Sequence, residues 1–346
     1  MQNSVLTFLR ENSQRLRLER FGDLSGYSAV VATPRFKASS HLIFFLLPPG
    51  SQQAALVAKV PRIAGSCQLE IETTNLTNLQ SMGPTGFDSV PRVVSFEEYY
   101  GYLMLVETAV SGQTMRPAFV RRNREFCLEL GLSWLIDLHR ASRTEGDTGQ
   151  FRALVQAPFT KLEPIARATG QNSLVSRTQE LVEEISACSL PFVFEHGDFS
   201  SPNLLISDSR SLGVVDWELA DKDGLPLVDL FFFLTYIAFA SSAAMRPDEY
   251  LTAFERAFFD SDAWASSYIK RYVEALKLPE AAVKPLFVLC WGKYVAGLVQ
   301  RMTNHNAGEL TNGQDDRIKW LCKNRYFLLW KHAVENIERL NLTGDL

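Results

Sequence analysis

The 346-residue chain has few cysteines and no surplus of basic residues, and both shortages exclude classes of protein. Its five cysteines are scattered and no two form a C-x-x-C pair, which argues against a disulfide framework or a zinc site. Lys and Arg number 35 against 39 Asp and Glu, so the basic excess that neutralises a nucleic-acid backbone is missing. We therefore expect reduced cysteines and no nucleic-acid partner.

The sequence also predicts neither a membrane-spanning run nor an apolar N-terminal leader. The chain meets Arg10 and Glu11 before any long apolar run. The most apolar segment, residues 230–245, contains Thr235 and Tyr236 and is too short to span a bilayer. We expect a buried helix there, no membrane partner, a cytoplasmic location, and a monomer or homodimer.

The chain does contain an acid, an amide and a second acid in a fixed order. Asp198 lies five positions before Asn203, and Asp216 follows thirteen positions later. The same separation of Asp and Asn occurs in the kinase loop H-R-D-x-x-x-x-N, where carboxylate and amide groups serve phosphoryl transfer. We predict that Asp198 holds an acceptor hydroxyl and that Asn203 and Asp216 hold Mg²⁺.

The segment between Asn203 and Asp216 reads as two short strands around a polar turn. Leu204-Leu205-Ile206 is apolar, residues 207–211 are polar, and Leu212-Gly213-Val214-Val215 is apolar again. The midpoint of 203 and 216 falls inside the polar turn, so an antiparallel hairpin brings both side chains to its open end. Mg²⁺ suits such a pair because it takes few protein oxygens and completes its shell with water and phosphate.

These residues resemble the aminoglycoside phosphotransferase and choline kinase family, small-molecule relatives of the protein kinases. The family motif H-G-D-x-x-x-x-N, an apolar strand pair and D-[FWY]-E match His196-Gly197-Asp198 to Asn203 and Asp216-Trp217-Glu218. The resemblance implies an α+β, protein-kinase-like fold of two lobes. Residues 1–107 would form the small antiparallel-sheet lobe that binds nucleotide, and residues 108–346 the mainly helical catalytic and substrate-binding lobe.

The distribution of strands and helices agrees with this fold. Residues 29–36, 41–47, 54–60, 90–95 and 102–106 are β-rich, and residues 70–79 read as a helix. Beyond Gly112 the pattern is mainly helical. We expect helices at 125–140, 174–186, 229–240, 247–259, 262–276, 280–302 and 318–340.

Lys59 closes the apolar run 54–58, where the resembling family carries a lysine that neutralises nucleotide phosphates. Its expected partner is Glu72, which has Leu76 at +4 and Leu79 at +7, as in the family's E-x-x-x-L-x-x-L helix. Glu70 is the alternative partner.

The rest of the nucleotide site departs from the protein-kinase pattern or leaves little signature. The first hairpin has no glycine-rich phosphate loop, which leaves Ser39 and Ser40 as candidate phosphate contacts. By resemblance, backbone groups near Val106 and Thr108 meet the nucleotide base, which does not separate ATP from GTP.

Two further residues match the family at supporting positions. His139, at the end of an L-x-x-L-H helix, is read as structural and buried near the catalytic loop. Asp229 is expected to accept backbone hydrogen bonds from that loop.

The resemblance implies a phosphotransferase that moves the γ-phosphate of ATP or GTP, with Mg²⁺, to a hydroxyl of a small molecule. In the resembling family the acceptor binds between the hairpin and the C-terminal helices, where acidic and aromatic residues favour a cationic amino sugar or amino alcohol. The acids are Glu218, Asp221, Asp223, Asp260, Asp262, Glu309, Asp315 and Asp316, and the aromatic residues are Trp264, Tyr268, Trp291, Tyr294 and Trp320. One alternative is a pseudokinase-like, nucleotide-binding regulatory module, supported by the missing glycine loop. A protein kinase is the other, opposed by Gly197 and by the absence of D-F-G and A-P-E motifs.

Overall fold

The structure, a computed structural model, describes residues 2–32, 41–62, 66–82, 89–185, 190–304 and 314–340. The chain divides into two compact units: unit 1 is residues 1–115 with 202–221, and unit 2 is residues 116–201 with 222–346. The functional lobes expected at 1–107 and 108–346 stay a prediction. Packing places the hairpin at 202–221 with the first 115 residues.

The described strands are 2 to 7 residues long. They are β1 (Ser28–Ala32), β2 (His41–Leu47), β3 (Leu56–Pro61), β4 (Val93–Tyr99), β5 (Tyr102–Thr108), β6 (Gln113–Thr114), β7 (Thr144–Glu145), β8 (Pro191–Glu195), β9 (Leu204–Ile206), β10 (Leu212–Val214) and β11 (Asp221–Gly224). The α-helices are α1 (Gln2–Glu11), α2 (Gln68–Gln80), α3 (Pro117–Arg122), α4 (Arg124–Ser142), α5 (Thr148–Gln156), α6 (Phe159–Thr169), α7 (Asn172–Glu183), α8 (Val228–Ser242), α9 (Pro247–Phe258), α10 (Ala265–Leu276), α11 (Val283–Asn304), α12 (Gln314–Lys323) and α13 (Arg325–Glu335).

Unit 1 is built on a five-stranded antiparallel sheet in the order β1-β2-β3-β5-β4, as the five β-rich runs predicted. Strand β3 lies at its centre and is buried along its whole length, because β2 and β5 pair with its two edges. Helix α1 buries Val5 and Leu9 in the same core as Phe44 of β2 and Met104 of β5. The sequence did not predict α1.

The predicted hairpin is present in unit 1. Strands β9 and β10 pair antiparallel with Leu204 opposite Val214 and Leu212 opposite Ile206, and β6 adds a third strand to β9. Arg210 turns the chain with φ of +62°. The backbone N–H of Val215 donates to the backbone carbonyl of Asn203 at 3.0 Å, which closes the open end of the hairpin.

Unit 2 is mainly helical and carries a small sheet in the order β11-β8-β7. Helix α8 is buried at twelve of its fifteen residues, as expected for the segment after Asp229. Residues 280–300 are long and apolar enough to cross a membrane by composition alone, yet 67% of their most apolar window is buried in the protein. Helices α6, α7, α8 and α13 pack against α11, so its apolar faces are covered within unit 2.

Two helical expectations were wrong, and two helices were not expected. The helix expected at 318–340 is two helices, because the Asn324 side chain accepts the backbone N–H of Tyr326 at 3.0 Å and caps a new helix there. The helix expected from residue 262 begins at Ala265. Helices α5 and α6 lie in a stretch for which no element was expected.

Candidate active site

The loop that follows β8 in unit 2 carries the predicted catalytic aspartate. Asp229, at the start of α8, accepts the backbone N–H of His196 at 2.6 Å and of Gly197 at 3.0 Å. This confirms the expected contacts of Asp229. Gly197 has φ of +81°, a conformation that side chains with a Cβ rarely adopt, so glycine suits the turn between His196 and Asp198.

Asp198 is positioned by contacts within its own loop. Its backbone N–H donates to Nδ1 of His196 at 3.2 Å, and the hydroxyl of Ser200 donates to its Oδ1 at 3.1 Å. His196 is fully buried, so it acts as a brace of the loop. Phe199, which follows Asp198, stacks on Trp134 with ring centroids 5.2 Å apart and fixes the loop to α4.

Helix α11 holds the same loop from another side. The Tyr294 hydroxyl donates to the carbonyl of Gly197 at 2.9 Å. Lys293 Nζ lies 2.7 Å and 2.6 Å from the two carboxylate oxygens of Glu195, which also accepts the backbone N–H of Leu225. Burial raises the pKa of Glu195, and Lys293 opposes that shift.

His139 is fully buried beside Asp229, as predicted for a supporting residue. Its Nε2 lies 3.8 Å from Asp229 Oδ2, and its Nδ1 is hydrogen-bonded to the hydroxyl of Tyr272. Burial acts to raise the pKa of Asp229, but His139, His196 and the backbone donors outweigh it and hold that pKa below its ordinary value. Asp229 therefore stays ionised and keeps accepting hydrogen bonds from the loop.

In unit 1 the two predicted metal ligands, Asn203 and Asp216, line one cavity. The hairpin brings them there, because Asn203 directly precedes β9 and Asp216 follows β10 by two residues. Asp216 has φ of +69°, a left-handed conformation that costs free energy in residues other than glycine and clusters at functional sites. Their oxygens are the donor type that Mg²⁺ prefers.

Lys59 stands in β3 between two buried carboxylates. Its Nζ lies 2.5 Å from Glu72 Oε1 and 3.1 Å from Glu107 Oε1. The structure thus brings Lys59 to Glu72, the partner favoured over Glu70. Burial acts to lower the pKa of Lys59, but Glu107, Glu72 and Asp216 outweigh it and raise that pKa, so the ammonium stays charged.

Helix α2 connects the lysine pair to the residues after Asp216. The backbone N–H of Trp217 donates to Glu72 Oε1 at 3.2 Å. The amide of Asn75 donates to the carbonyls of Trp217 and Ala220, both at 3.0 Å. Trp217 is fully buried, so one helix holds both the lysine partner and the segment that carries the second acid.

The cavity of unit 1 has a volume of about 470 Å³, within the rough range of 300–1,000 Å³ for small-molecule pockets. It unites four predicted site residues: Lys59, Thr108, Asn203 and Asp216. Val106 is fully buried in β5 and does not line the cavity. Ser39 and Ser40 lie outside the described residues.

The sequence did not single out Glu107 as a site residue. It lines the cavity at 2% exposure, and its Oε2 finds no hydrogen-bond partner among the described residues. Burial raises the pKa of Glu107 to about 7, although Lys59 opposes the shift. Strand alternation places Glu107 on the same face of β5 as Leu105. Leu105 pairs with Lys59 in the sheet, and that pairing has no motif in the sequence.

Glu107 gives a pH-dependent test of the cavity. Its folded-state pKa lies above the ordinary 4.5, so ionising it costs the folded protein free energy as pH rises from 4.5 to about 7. Relative to the wild type, Glu107→Gln should gain stability through that window, by up to about 3 kcal/mol, and then level off. Denaturant unfolding at pH 5 and pH 8 measures the difference.

The exposed Glu98 provides the control for this comparison. Glu98→Gln should show the same stability difference from the wild type at both pH values. A Glu107→Gln variant whose stability relative to the wild type does not rise between pH 5 and pH 8 would refute the assignment.

A second cavity lies wholly within unit 2 and has a volume of about 460 Å³. Its lining includes Ser200 and Ser201, which follow Asp198 by two and three positions in the chain. Helix α8 supplies most of its apolar wall, and its other sides come from α3, the segment at 243–250, and α13. Its described lining residues are Pro117, Arg121, Ser200, Ser201, Phe232, Thr235, Tyr236, Phe239, Ala240, Ala243, Ala244, Met245, Tyr250, Arg325 and Tyr326.

The described lining contains none of the particular acidic and aromatic residues that the sequence associated with an acceptor. Aromatic residues are present, but they come from α8, α9 and α13 and were not the ones proposed. Among the described residues that line the cavity, none is acidic and two are arginines. The arginines were missed because Arg121 and Arg325 are 204 positions apart and follow no motif.

The chain is similar to known phosphotransferases in sequence pattern and in fold. The model of the phosphotransferase enzyme family (APH) matches residues 38–267, more than half of the chain. No curated protein sequence matches. Among solved structures, the chain is similar to a thermostable mutant of aminoglycoside phosphotransferase APH(4)-Ia in ternary complex with ADP and hygromycin B. Identity is 14%, the TM-score is 0.52, and the match covers 92% of this chain and 98% of that one.

Two other solved structures are similar at lower TM-scores. Aminoglycoside phosphotransferase APH(3'')-Id from Streptomyces rimosus ATCC10970 has 16% identity and a TM-score of 0.48, covering 85% of this chain and 98% of that one. Choline kinase LicA from Streptococcus pneumoniae has 14% identity and a TM-score of 0.49, covering 94% and 99%.

The fold is protein-kinase-like, with an antiparallel-sheet lobe and a mainly helical lobe, as predicted. The chain belongs to the phosphotransferase enzyme family, which confirms the resemblance drawn from the motif around Asp198.

Proposed function

We propose that this protein is a small-molecule kinase that transfers the γ-phosphate of ATP or GTP to a hydroxyl group. The observation that carries the proposal is the cavity of unit 1, where Lys59, Asn203 and Asp216 line one space of about 470 Å³. A cation and two oxygen ligands in one cavity suit a nucleotide bound with a divalent cation. Family membership and the ADP complex of the similar APH(4)-Ia structure support a nucleotide donor.

The donor set fits Mg²⁺. Asp216 and Asn203 offer hard oxygen ligands, and Asp216 adopts a left-handed backbone, a conformation that clusters at functional sites. Two ligands suffice because Mg²⁺ completes its shell with water and phosphate oxygens. Among the residues that the structure describes, no three His, Cys, Asp or Glu side chains gather into an all-protein metal site. When bound, Mg²⁺ would neutralise charge on the phosphates.

The remaining steps belong to the chain's own residues. Lys59, kept charged by Glu72 and Glu107, would neutralise the phosphates that are not transferred. Asp198 would accept a hydrogen bond from the acceptor hydroxyl and orient it in line with the γ-phosphate. Phosphoryl transfer has a loose transition state, so positioning and charge neutralisation supply most of the catalysis.

The test is transfer of label from γ-labelled ATP or GTP, with Mg²⁺, into a pool of small molecules. The pool contains aminoglycosides, choline, ethanolamine, amino sugars and a deproteinised metabolite extract, and Asp198→Ala is the control. We expect a labelled small molecule that only the wild type makes.

Other results would contradict the proposal in distinguishable ways. A nucleotide-induced thermal shift with no label above the control would favour a pseudokinase-like module. Label in protein would indicate a protein kinase. The pseudokinase alternative rests on the glycine-free segment at 37–41, most of which lies outside the described residues. The cytoplasmic location, the oligomeric state and the absence of nucleic-acid and membrane partners stay predictions.

A further inference from the structure

The cavity of unit 2 contacts the machinery that positions the predicted catalytic aspartate. Ser200 lines the cavity, and its hydroxyl donates to Asp198 Oδ1 at 3.1 Å. Ser201 lines it too and is hydrogen-bonded to the Tyr236 hydroxyl. At about 460 Å³ the cavity has the size of a small-molecule site, and Ser200 connects its lining to Asp198.

The wall of this cavity is largely apolar. Phe232 and Phe239 of α8 face it together with Tyr250 of α9. Phe232 stacks on Tyr294 at 4.1 Å and Phe239 packs on Tyr250 at 4.7 Å between ring centroids, so the wall is fixed by its own ring contacts. Such a wall binds an aliphatic or aromatic body, because burying apolar surface is favourable.

The charged groups of the lining are both positive. The Arg325 guanidinium carbon lies 5.6 Å from the ring centre of Tyr250 and 4.8 Å from that of Tyr326. Nη2 of the same guanidinium donates to the Tyr326 hydroxyl at 2.8 Å. Arg121 donates to the carbonyl of Ala240 at 3.4 Å. Among residues whose side chains the structure describes, no carboxylate lies within 4.0 Å of either guanidinium.

A buried hydroxyl in the same lining has no hydrogen-bond partner among the described residues. Thr235 is 2% exposed, and its Oγ1 makes no hydrogen bond to any described residue. A buried polar group without a partner costs free energy, so a ligand with a polar atom there would be favoured. This is a second observation, independent of the arginines, that points to a bound molecule.

We propose that the acceptor is a hydroxy acid: a hydroxyl compound with an apolar body and an anionic group that pairs with Arg325 and Arg121. This substrate class deepens the proposed function and rests on it. An Arg–carboxylate pair forms strong, charge-assisted hydrogen bonds, and here no described carboxylate competes for the guanidinium groups.

The same charges oppose the cationic acceptor that the sequence favoured. An ammonium group beside Arg121 and Arg325 would meet two guanidinium groups, and none of the described lining residues is acidic, so like charges would repel it. The preference for an amino sugar or amino alcohol came from acidic and aromatic residues that are not among the described residues lining this cavity.

The test compares three probes with one body: 3-hydroxy-3-phenylpropanoate, its neutral amide, and 3-amino-1-phenylpropan-1-ol. They carry the same phenyl ring and benzylic hydroxyl, and their other ends are anionic, neutral and cationic at pH 7.5. Binding to the full-length wild type is measured by calorimetry. We expect the carboxylate to bind about tenfold or more tightly than the amide, and the amine to bind most weakly.

Matched variants locate the effect. Arg325→Gln and Arg121→Gln should reduce the preference for the carboxylate over the amide by about tenfold in total, because losing a guanidinium weakens carboxylate binding more than amide binding. The controls are Arg122→Gln and Arg256→Gln, which should behave as the wild type. These arginines are exposed, as Arg121 and Arg325 are, but they lie outside the cavity. The proposal is overturned if the carboxylate does not bind, if the amine binds as tightly, or if the cavity variants keep the wild-type preference.

Turnover with Mg²⁺ and ATP or GTP is measured on the same samples, so that the two proposals fail separately. If the amine is the preferred acceptor of phosphate, the hydroxy-acid inference is wrong and the proposed kinase function stands. If the carboxylate binds through Arg325 but no phosphate is transferred to any acceptor, the charge preference stands and the kinase function fails.

Discussion

Replacing Asp198 by asparagine should lower kcat by about 10²–10⁴-fold, the range for removal of a general base or hydroxyl-orienting carboxylate. Asparagine keeps the size of the side chain and can still accept the hydrogen bond from Ser200, so the loop between β8 and β9 should keep its conformation. The cavity of unit 1 does not include Asp198, so nucleotide affinity should stay within about twofold of the wild type.

The measurement for Asp198→Asn is kcat with a labelled acceptor, together with calorimetric binding of the Mg²⁺ nucleotide. Asp208→Asn is the matched control, because Asp208 lies exposed in the turn between β9 and β10. Wild-type turnover in Asp198→Asn would remove this residue from the mechanism.

Replacing Asp216 by asparagine should remove the metal-dependent part of nucleotide binding and lower activity by about 10²–10³-fold. Asparagine tolerates the left-handed backbone that Asp216 adopts, so the hairpin should be preserved. It lacks the negative charge, so it should hold Mg²⁺ poorly. The contrast with Asp198→Asn is that here the metal-dependent part of nucleotide binding is lost.

Calorimetry with ADP, in the presence and in the absence of Mg²⁺, measures the effect at Asp216. The wild type should bind more tightly with the metal, whereas Asp216→Asn should bind equally with and without it. The metal-free titration is the internal control, because a variant that had lost its fold would fail in both arms. Binding of Mg²⁺-ADP as tight as in the wild type would exclude Asp216 as a ligand.

The parts of the site that the sequence predicted are those fixed by local chain geometry. Asn203 and Asp216 belong to a two-strand hairpin, so counting residues to its midpoint was enough to bring them together. Glu72 lies 13 positions from Lys59, on the first helix after the strand, and its leucine spacing marked its buried face.

The parts that the sequence did not predict are assembled by long-range packing. Glu107 meets Lys59 only because β5 pairs with β3 in a particular register, which the apolar run 102–106 does not specify. Arg121 and Arg325 line one cavity because α3 and α13 both border α8. Neither the register nor the packing of these helices has a motif, so the charge of the cavity in unit 2 could only be read from the structure.

The way the chain crosses between its units bears on how the protein is made. Unit 1 needs residues 202–221, because β9 pairs with β6, Val214 donates to Ser89, and Asn75 binds the carbonyls of Trp217 and Ala220. A ribosome therefore releases more than two hundred residues before the first unit can close. Until then part of the surface of the N-terminal sheet is uncovered. During that interval the sheet can misfold or bind chaperones.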